Sequence, residues 1–164
     1  MSFLTHLRPA RLEDCKAIHS VHLFSVRYAC EYYYDDTILQ AWLSRLSEDI
    51  YIKPIQNNSM WVIEYKGNIQ GFFQLDLENS ELDALYVHPF VHHIGLGTAM
   101  LQRAERIAYE HGCGLLKLYA SLNSVKFYEI NGYEKIGSCE LNLNKKVTID
   151  GELMRKYLFA ENIV

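Results

Sequence analysis

A glycine-bearing turn is the part of this sequence whose residue types most directly indicate chemistry. It reads His92-His93-Ile94-Gly95-Leu96-Gly97 and lies between a strand pattern and a helical pattern. Glycine lets the backbone approach a ligand closely, and the first turn of a helix offers unpaired N–H groups at its positive dipole end. The turn therefore predicts an anion site suited to phosphate or pyrophosphate. The alternative is that its glycines serve backbone geometry alone.

Two regular elements must hold this turn in place. Residues 82–87 form a short apolar run typical of a strand, which ends at His88-Pro89 because proline cannot donate to a sheet ladder. Apolar residues then recur at helical spacing over residues 97–108, and Gly112 follows as a helix terminator. A dinucleotide-binding turn would need a glycine at Met100, and the Gly-Lys-Ser/Thr ending of a P-loop is missing. Both alternatives are excluded.

Two short motifs together resemble the GNAT superfamily of acyl-CoA-dependent N-acetyltransferases. The first stands as Val87-His88-Pro89 followed by His92-x-x-Gly95-x-Gly97, with histidine where the family usually has arginine or glutamine. The second runs from Asn123 through Phe127-Tyr128 to Gly132-Tyr133. Their order and separation agree with the family over about a third of the chain. The resemblance implies an enzyme, an N-acetyltransferase that uses acetyl-CoA and no metal.

The resemblance also implies roles for individual residues. Tyr128 is the implied general acid for the departing thiolate, since a phenol with a pKa of roughly 10 is protonated at neutral pH. Glu81 is the implied general base, acting through a water, unless it is only a solvated acid that ends a turn. Asp83 would point to the same side as Glu81 in a regular strand, but not if the strand contains a bulge. The implied acetyl-CoA contacts are Leu85, Tyr86 and Val87 along the pantetheine, His92, His93, Ile94, Gly95, Leu96, Gly97 and Thr98 at the pyrophosphate, and Asn123 and Phe127 beside the pantetheine arm.

The acceptor side is predicted from residues 28–36, which hold four tyrosines among three acids. Aromatic faces and carboxylates suit an alkyl-ammonium group. In a GNAT-like fold the loop between the first two helices commonly walls the acceptor pocket. The predicted substrate-binding residues are Glu31, Tyr32, Tyr33, Tyr34 and Trp42. The alternative is that the segment is simply a rigid corner between two helices.

The whole pattern predicts a mixed α/β fold of the α+β kind, as in GNAT proteins. We expect a twisted, mostly antiparallel sheet of six to seven strands with about four helices on both faces. The resemblance implies that two central parallel strands splay apart to form the acetyl-CoA cleft. The first helix is predicted from residue 11 to about residue 29, and the second is capped by Asp35 or Thr37.

Several further segments carry local predictions. The first strand is expected at residues 3–8, and residues 48–58 read as a loop because they contain a proline and turn-prone residues. Residues 141–150 read as an exposed excursion before a last strand at about residues 151–159. That last strand is expected to offer a free edge that could pair two subunits into a homodimer.

Composition sets the remaining limits. A chain of 164 residues corresponds to one domain, predicted to span residues 1–164. The net charge of −4 gives no basic footprint for nucleic acid.

We find no apolar run that could span a membrane and no signal-peptide core, so we expect a cytoplasmic protein without a membrane partner. The four cysteines show no metal-binding or redox spacing, and neither His19 and His22 nor His92 and His93 have the partners of a zinc site.

The predicted function is direct transfer of an acetyl group from acetyl-CoA to a primary amine of a small molecule or peptide. No cysteine has a predicted activating base, so a covalent cysteine intermediate is not expected. Two alternatives stay open: a non-catalytic acyl-CoA-binding or regulatory module, and an acetyltransferase that modifies proteins. A groove open at both ends, instead of a pocket closed by residues 28–42, would favour protein substrates.

Overall fold

The computed structural model describes residues 4–164, which form one seven-stranded sheet with helices on both faces. All neighbouring strands are antiparallel except β4 and β5, and the order across the sheet is β1-β2-β3-β4-β5-β7-β6. This confirms the expected fold class. Phe3, where the first strand was predicted to begin, lies outside the described residues. The strands are β1 (Thr5–Pro9), β2 (Met60–Tyr65), β3 (Asn68–Asp76), β4 (Glu81–Val87), β5 (Leu115–Ser121), β6 (Glu134–Asn142) and β7 (Thr148–Tyr157).

Five α-helices accompany the sheet. The Asp35 side chain accepts a hydrogen bond from Ile38 N at 2.9 Å at the start of the second helix, which satisfies one of its unpaired N–H groups. Asp35 is therefore the N-cap of the second helix, and Thr37, the other predicted candidate, is not. The helices are α1 (Cys15–Phe24), which continues through a π-helical turn at Ser25–Ala29, α2 (Asp36–Leu43), α3 (Ile52–Gln56), α4 (Leu96–Glu110) and α5 (Val125–Ile130).

The helices on the two faces of the sheet bury separate apolar stripes. On one face α1 packs Ile18 and Val21 against β2 and β3. On the other face α4 packs Met100 and Ala104 against β3 and β5, and both residues are fully buried. Burying a side chain of the size of Met100 contributes about 1.5–3 kcal/mol. This stripe fixes the position of α4, and with it the position of the turn that precedes the helix.

The two parallel strands in the middle of the sheet separate almost as soon as they meet. Only Glu81 and Lys117 are paired between β4 and β5. The remaining lengths of the two strands run on without ladder pairing, and a groove opens between them. The prediction that the central parallel strands splay apart is confirmed.

A bulge in β4 changes which side chains face which side of the sheet. Gln74 of β3 pairs with Ala84 and Leu75 pairs with Leu82, so Asp83 is left without a partner on β3. As a result Leu82 and Leu85, three residues apart, both pack under α4, while Ala84 packs under α1. The regular alternation of two residues does not hold at the start of β4.

The loop predicted for residues 48–58 is wrong. A 3-10 turn at Glu48–Tyr51 leads directly into α3. Pro54 is the third residue of α3, where the N–H group would have no partner within the helix in any case. Tyr51 and Ile55 are buried against α1 and the sheet, and this tertiary packing outweighs the local turn signals.

The C-terminal predictions also need correction. Residues 141–150 are not an excursion, because β6 and β7 continue as a hairpin up to the pair Asn142 and Thr148. The last strand, β7, lies between β5 and β6 and has no free edge. The edge strand is β6, whose side chains are almost all exposed. Any pairing of subunits through this edge of the sheet would therefore involve β6.

Candidate active site

A groove of about 530 Å³ lies where β4 and β5 separate. Leu85, Tyr86 and Val87 form one wall, and Ser121 and Asn123 form the opposite wall. The α1 extension closes a third side with Ser25, Ala29 and Cys30. The unpaired part of β4 gives this groove the free backbone groups that an extended ligand can pair with, in the manner of an added strand.

The glycine-bearing turn lies at one end of this groove. Gly95 has φ 87°, in the left-handed region, and is the N-cap of α4. A side chain at Gly97 would place its Cβ 3.3 Å from Cζ of Phe127, closer than most such contacts. Gly97 thus lets Phe127 pack closely against the start of α4. The first N–H groups of this helix lie at the end of the groove, where the helix dipole favours an anion.

Most of the residues predicted for acetyl-CoA lie along this one groove. Ile94 does not line it and is 49% exposed, because its side chain lies outside the turn. The binding role of the set stays a prediction, but its placement is what such a role requires. The residues that line the groove are Leu85, Tyr86, Val87, His92, His93, Gly95, Leu96, Gly97, Thr98, Asn123 and Phe127.

The carbonyl group of Val87, at the end of β4, already has two donors. The Ser25 hydroxyl donates to it at 2.6 Å, and Nε2 of His92 donates to it at 3.1 Å. His92 thus folds back over the strand end, and Ser25 ties the α1 extension to the same atom. The sequence did not indicate Ser25, because the residue that it contacts is 62 positions away.

A second cavity, of about 560 Å³, lies on the other side of the splayed strands. Its walls come from α1, α2, the 3-10 turn before α3, strands β3 to β5, and the hairpin between β6 and β7. Seven aromatic side chains contribute to these walls, together with the carboxylates Asp83 and Asp150. The aromatic residues are Tyr34, Trp42, Tyr51, Phe72, Tyr86, Tyr119 and Tyr128.

The predicted acceptor-binding segment is only partly in this cavity. Tyr34 and Trp42 line it, with their rings perpendicular and 5.9 Å apart. Tyr32 and Tyr33 do not line it and are 88% and 53% exposed, and Glu31 is exposed as well. The structure does not place these three residues where an acceptor in the cavity would touch them. Tyr34 alone among the three consecutive tyrosines turns inward, where its hydroxyl finds backbone partners.

Tyr128 lines both the groove and the second cavity. It is 6% exposed and packs edge-on against Phe127 and Tyr133. Burial raises the pKa of Tyr128 above its ordinary value, so its hydroxyl stays protonated at neutral pH. Among residues 4–164 no hydrogen-bonding partner holds this hydroxyl, which leaves its proton for a ligand.

Asp83, and not Glu81, lines the second cavity. The bulge turns Asp83 toward the cavity, whereas Glu81 stays in the ladder opposite Asp76. Asp83 is exposed at the rim of the cavity, and partial desolvation there, followed by the nearby charges of Glu81 and Asp76, raises its pKa to about 6. A carboxyl group with this pKa exchanges its proton near neutral pH, as a general base must.

A buried histidine, His22 of α1, also lines the second cavity. His22 is 9% exposed, its Nδ1 lies 2.8 Å from the Tyr51 hydroxyl, and its ring packs 4.3 Å from that of Tyr86. Its Nε2 is buried and has no hydrogen-bonding partner. Burial, with a smaller contribution from His19, lowers the pKa of His22 to about 3, so the ring is neutral at physiological pH.

We expect His22 to make the protein less stable in acid. Its pKa in the folded state is below the ordinary value of about 6.5, so its protonation favours the unfolded chain. Stability is full above pH 6.5 and falls by up to about 1.4 kcal/mol per pH unit as the pH drops toward 3. Between pH 6.5 and 4.5 the wild type should lose about 2–3 kcal/mol more than His22→Gln in urea unfolding. His111→Gln, which removes an exposed histidine, should behave as the wild type; equal slopes in all three proteins would contradict this prediction.

Residues 4–164 were also compared with the requirements of a metal site and of a membrane-spanning helix. Within residues 4–164 no three histidine, cysteine or acidic side chains are grouped so that they could hold a metal ion. No helix in the same range is long and apolar enough to cross a lipid bilayer.

A comparison with protein families finds one that covers most of the site. The model of the acetyltransferase (GNAT) family matches residues 22–133, from His22 in the second cavity to Tyr133 after α5. The match spans about two thirds of the chain, and it contains the groove, the glycine-bearing turn and Tyr128.

Solved structures share the fold. A GCN5-related N-acetyltransferase from Rhodopseudomonas palustris superposes with a TM-score of 0.88 at 22% identity, over 96% of this chain and 98% of that one. The PaiA N-acetyltransferase from Thermoplasma acidophilum, in complex with coenzyme A, gives a TM-score of 0.76 at 23% identity over 96% and 99%. YncA from Salmonella typhimurium, with its cofactor acetyl-CoA, gives 0.69 at 18% identity over 94% of each chain. At these sequence identities the comparisons show that the chain shares the fold of these structures.

Proposed function

Because the chain belongs to the acetyltransferase (GNAT) family, we propose that it transfers the acetyl group of acetyl-CoA directly to a primary amine of a small molecule or peptide. The groove between β4 and β5 would hold the pantetheine, and the turn before α4 would hold the pyrophosphate. The structures of PaiA with coenzyme A and of YncA with acetyl-CoA support this choice of co-substrate.

The observation that carries the proposal is the position of Tyr128. It is one of four residues, with Leu85, Tyr86 and Ser121, that line both the groove and the second cavity. A thioester held along β4 and an amine held in the second cavity would therefore meet beside the phenol. This arrangement suits transfer within a ternary complex.

Two proton transfers follow from this arrangement. Acetyl-CoA supplies an acetyl group activated as a thioester. As the amine nitrogen bonds to the acetyl carbon and the carbon–sulfur bond breaks, Tyr128 donates its proton to the departing sulfur. Asp83 accepts the proton that the nitrogen loses, directly or through a water. We assign this base to Asp83 instead of Glu81 because Asp83 lines the acceptor cavity and its pKa is raised to about 6.

The one cysteine in the groove does not suit a covalent mechanism. Cys30 is buried, and burial raises the pKa of its thiol to about 12. Only the thiolate is an effective nucleophile, and almost none is present at neutral pH. This supports direct transfer over an acetyl-cysteine intermediate.

The shape and charge of the second cavity favour a compact, cationic acceptor. Arg45, which follows α2, donates to the carbonyl oxygens of Asn142 at 3.0 Å and Leu143 at 3.2 Å, so the β6–β7 hairpin is tied over the cavity. Asp83 and Asp150 have no salt-bridge partner among residues 4–164, and they line the same cavity as several aromatic side chains. An ammonium group is stabilised by both features. The hairpin tied by Arg45 covers one side of the cavity, and this supports a small amine or a short peptide end as the acceptor.

A panel assay tests the proposal. Polyamines, amino acids, aminoglycosides and short peptides would each be mixed with acetyl-CoA, and the release of free CoA thiol would be measured. We expect release with at least one small amine. CoA binding without release from any amine or peptide would favour the non-catalytic alternative, and release only with peptides or proteins would favour the protein-directed one.

The pyrophosphate site makes a separate prediction. Changing Gly95→Ala forces an L-residue into the left-handed region, which costs about 1–2 kcal/mol, and the backbone can relax only by tilting the first N–H groups of α4. We expect the dissociation constant of CoA to rise about tenfold, as measured by calorimetric titration.

The matched control for this change is Gly112→Ala. Gly112 has φ 94° and open space around its Cβ, as Gly95 has, but it lies at the far end of α4. This variant should lose similar stability and keep its affinity for CoA. An equal change of affinity in both variants would show that general strain, and not the turn, is responsible.

A further inference from the structure

The hydroxyl group of Tyr34 lies between two strand ends. It donates to the carbonyl oxygen of Asp150 at 2.7 Å and accepts from the backbone N–H of Leu122 at 2.8 Å. The last pair in the ladder between β5 and β7 is Ser121 and Gly151, so Leu122 and Asp150 would form the next pair. The hydroxyl thus bridges two backbone groups that a continued ladder would bring together.

This bridge keeps β5 from running on along β7. Both hydrogen bonds are partly buried, and one phenol supplies the partner that each backbone group needs. The chain is therefore free to leave β5 at Ser121 and form the 3-10 turn Leu122–Ser124, which leads into α5. Asn123 lies in that turn and Tyr128 lies on α5, so both depend on where the turn begins.

A second contact from the same segment reaches the next residue of the turn. The Cys30 thiol donates to Oδ1 of Asn123 at 3.4 Å. The carbonyl end of the Asn123 side chain is thereby engaged, which leaves its NH₂ group for a ligand in the groove. The segment from Cys30 to Tyr34 is itself closed by a hydrogen bond from Tyr34 N to Cys30 O at 3.3 Å. It holds Leu122 and Asn123 from one side as a single unit.

We propose that Tyr34 is a positioning residue for the acetyl-CoA arm: its hydroxyl replaces one rung of the β5–β7 ladder and so aims Asn123 into the groove. The ring of Tyr34 lines the acceptor cavity while its hydroxyl acts on the cofactor side. The inference rests on the proposed use of acetyl-CoA, and it gives the hydroxyl a role other than contact with the acceptor.

The test is the affinity of Tyr34→Phe for CoA, measured by calorimetric titration without any acceptor. The phenylalanine ring keeps the wall of the acceptor cavity but leaves Leu122 N and Asp150 O without their bridge. They can pair directly only if the turn shifts away from the groove. We expect the dissociation constant of CoA to rise about tenfold.

The matched control is Tyr133→Phe, which loses a buried hydroxyl bonded to Glu105 at 2.8 Å, away from both cavities. Its affinity for CoA should stay within about twofold of the wild type.

The outcomes that would overturn the inference are distinguishable. If the wild type binds CoA and Tyr34→Phe binds it equally well, the positioning role fails while the proposed function stands. A changed KM for the acceptor with unchanged CoA affinity would show that the hydroxyl contacts the acceptor instead. A wild type that binds no CoA would remove the proposed function and this inference together. If Tyr34→Phe does not fold, Cys30→Ala tests the same unit: it should weaken CoA binding about threefold, and unchanged binding would overturn the inference.

Discussion

Replacing Tyr128 by phenylalanine should lower turnover about 100-fold, with the affinity for CoA changed by less than about twofold. The ring would keep its edge-on packing against Phe127 and Tyr133, so the groove should keep its shape. Only the hydroxyl proton is lost, and with it the group that protonates the departing sulfur. Steady-state assays with the best amine from the panel would give turnover, and calorimetric titration would give the affinity for CoA.

Tyr133→Phe is the control for this change as well. Tyr133 is buried next to Tyr128, but its hydroxyl donates to Glu105, which also pairs with Lys156. This variant loses a buried hydroxyl without touching either cavity, so its turnover should stay close to that of the wild type. Turnover in Tyr128→Phe equal to that in Tyr133→Phe would show that another group, or water, protonates the thiolate.

The features that the sequence predicted correctly are those fixed by neighbours along the chain. The bounds of α4 follow from a helical apolar period with glycine at each end, and the paired strands β2 and β3 follow from alternation around a short turn. The glycine-bearing turn was recognised from its own residues, and Tyr128 was singled out because the motif from Asn123 to Tyr133 resembles that of the GNAT superfamily; the role of Tyr128 stays a prediction.

The features that the sequence missed are set by partners far along the chain. A bulge in β4 was one of two alternatives left open by the sequence; it arises from how β4 pairs with β3, and no residue type within β4 decides for it. Tyr34 turns inward while Tyr32 and Tyr33 do not, because only Tyr34 reaches the backbone of Leu122 and Asp150. Likewise, α3 forms because Tyr51 and Ile55 are buried by α1 and the sheet. Long-range packing decides such choices, and a local pattern does not contain it.

Asp83 and Glu81 are the two candidate general bases on β4, and replacing the correct one should strongly lower turnover. Asp83→Asn should lower turnover about 100-fold at pH 8, because the amide cannot accept the proton of the amine. In the wild type the base is active when deprotonated, so turnover should fall as the pH drops through about 6, the raised pKa of Asp83. This acid limb should be missing from the residual activity of Asp83→Asn. The measurement is turnover from pH 5 to 8.5 at saturating acetyl-CoA and amine.

Glu81→Gln is the matched change that separates the two candidate bases. Glu81 lines neither cavity, but its charge is one of the causes that raise the pKa of Asp83. If Asp83 is the base, Glu81→Gln should keep nearly full turnover at pH 8, and its acid limb should move to lower pH because one repelling charge is gone. The reverse result, with activity lost in Glu81→Gln and kept in Asp83→Asn, would return the role of base to Glu81. In that case the bulge in β4 would not position the general base. The bulge turns Asp83 toward the cavity and leaves Glu81 paired with Asp76 in the ladder.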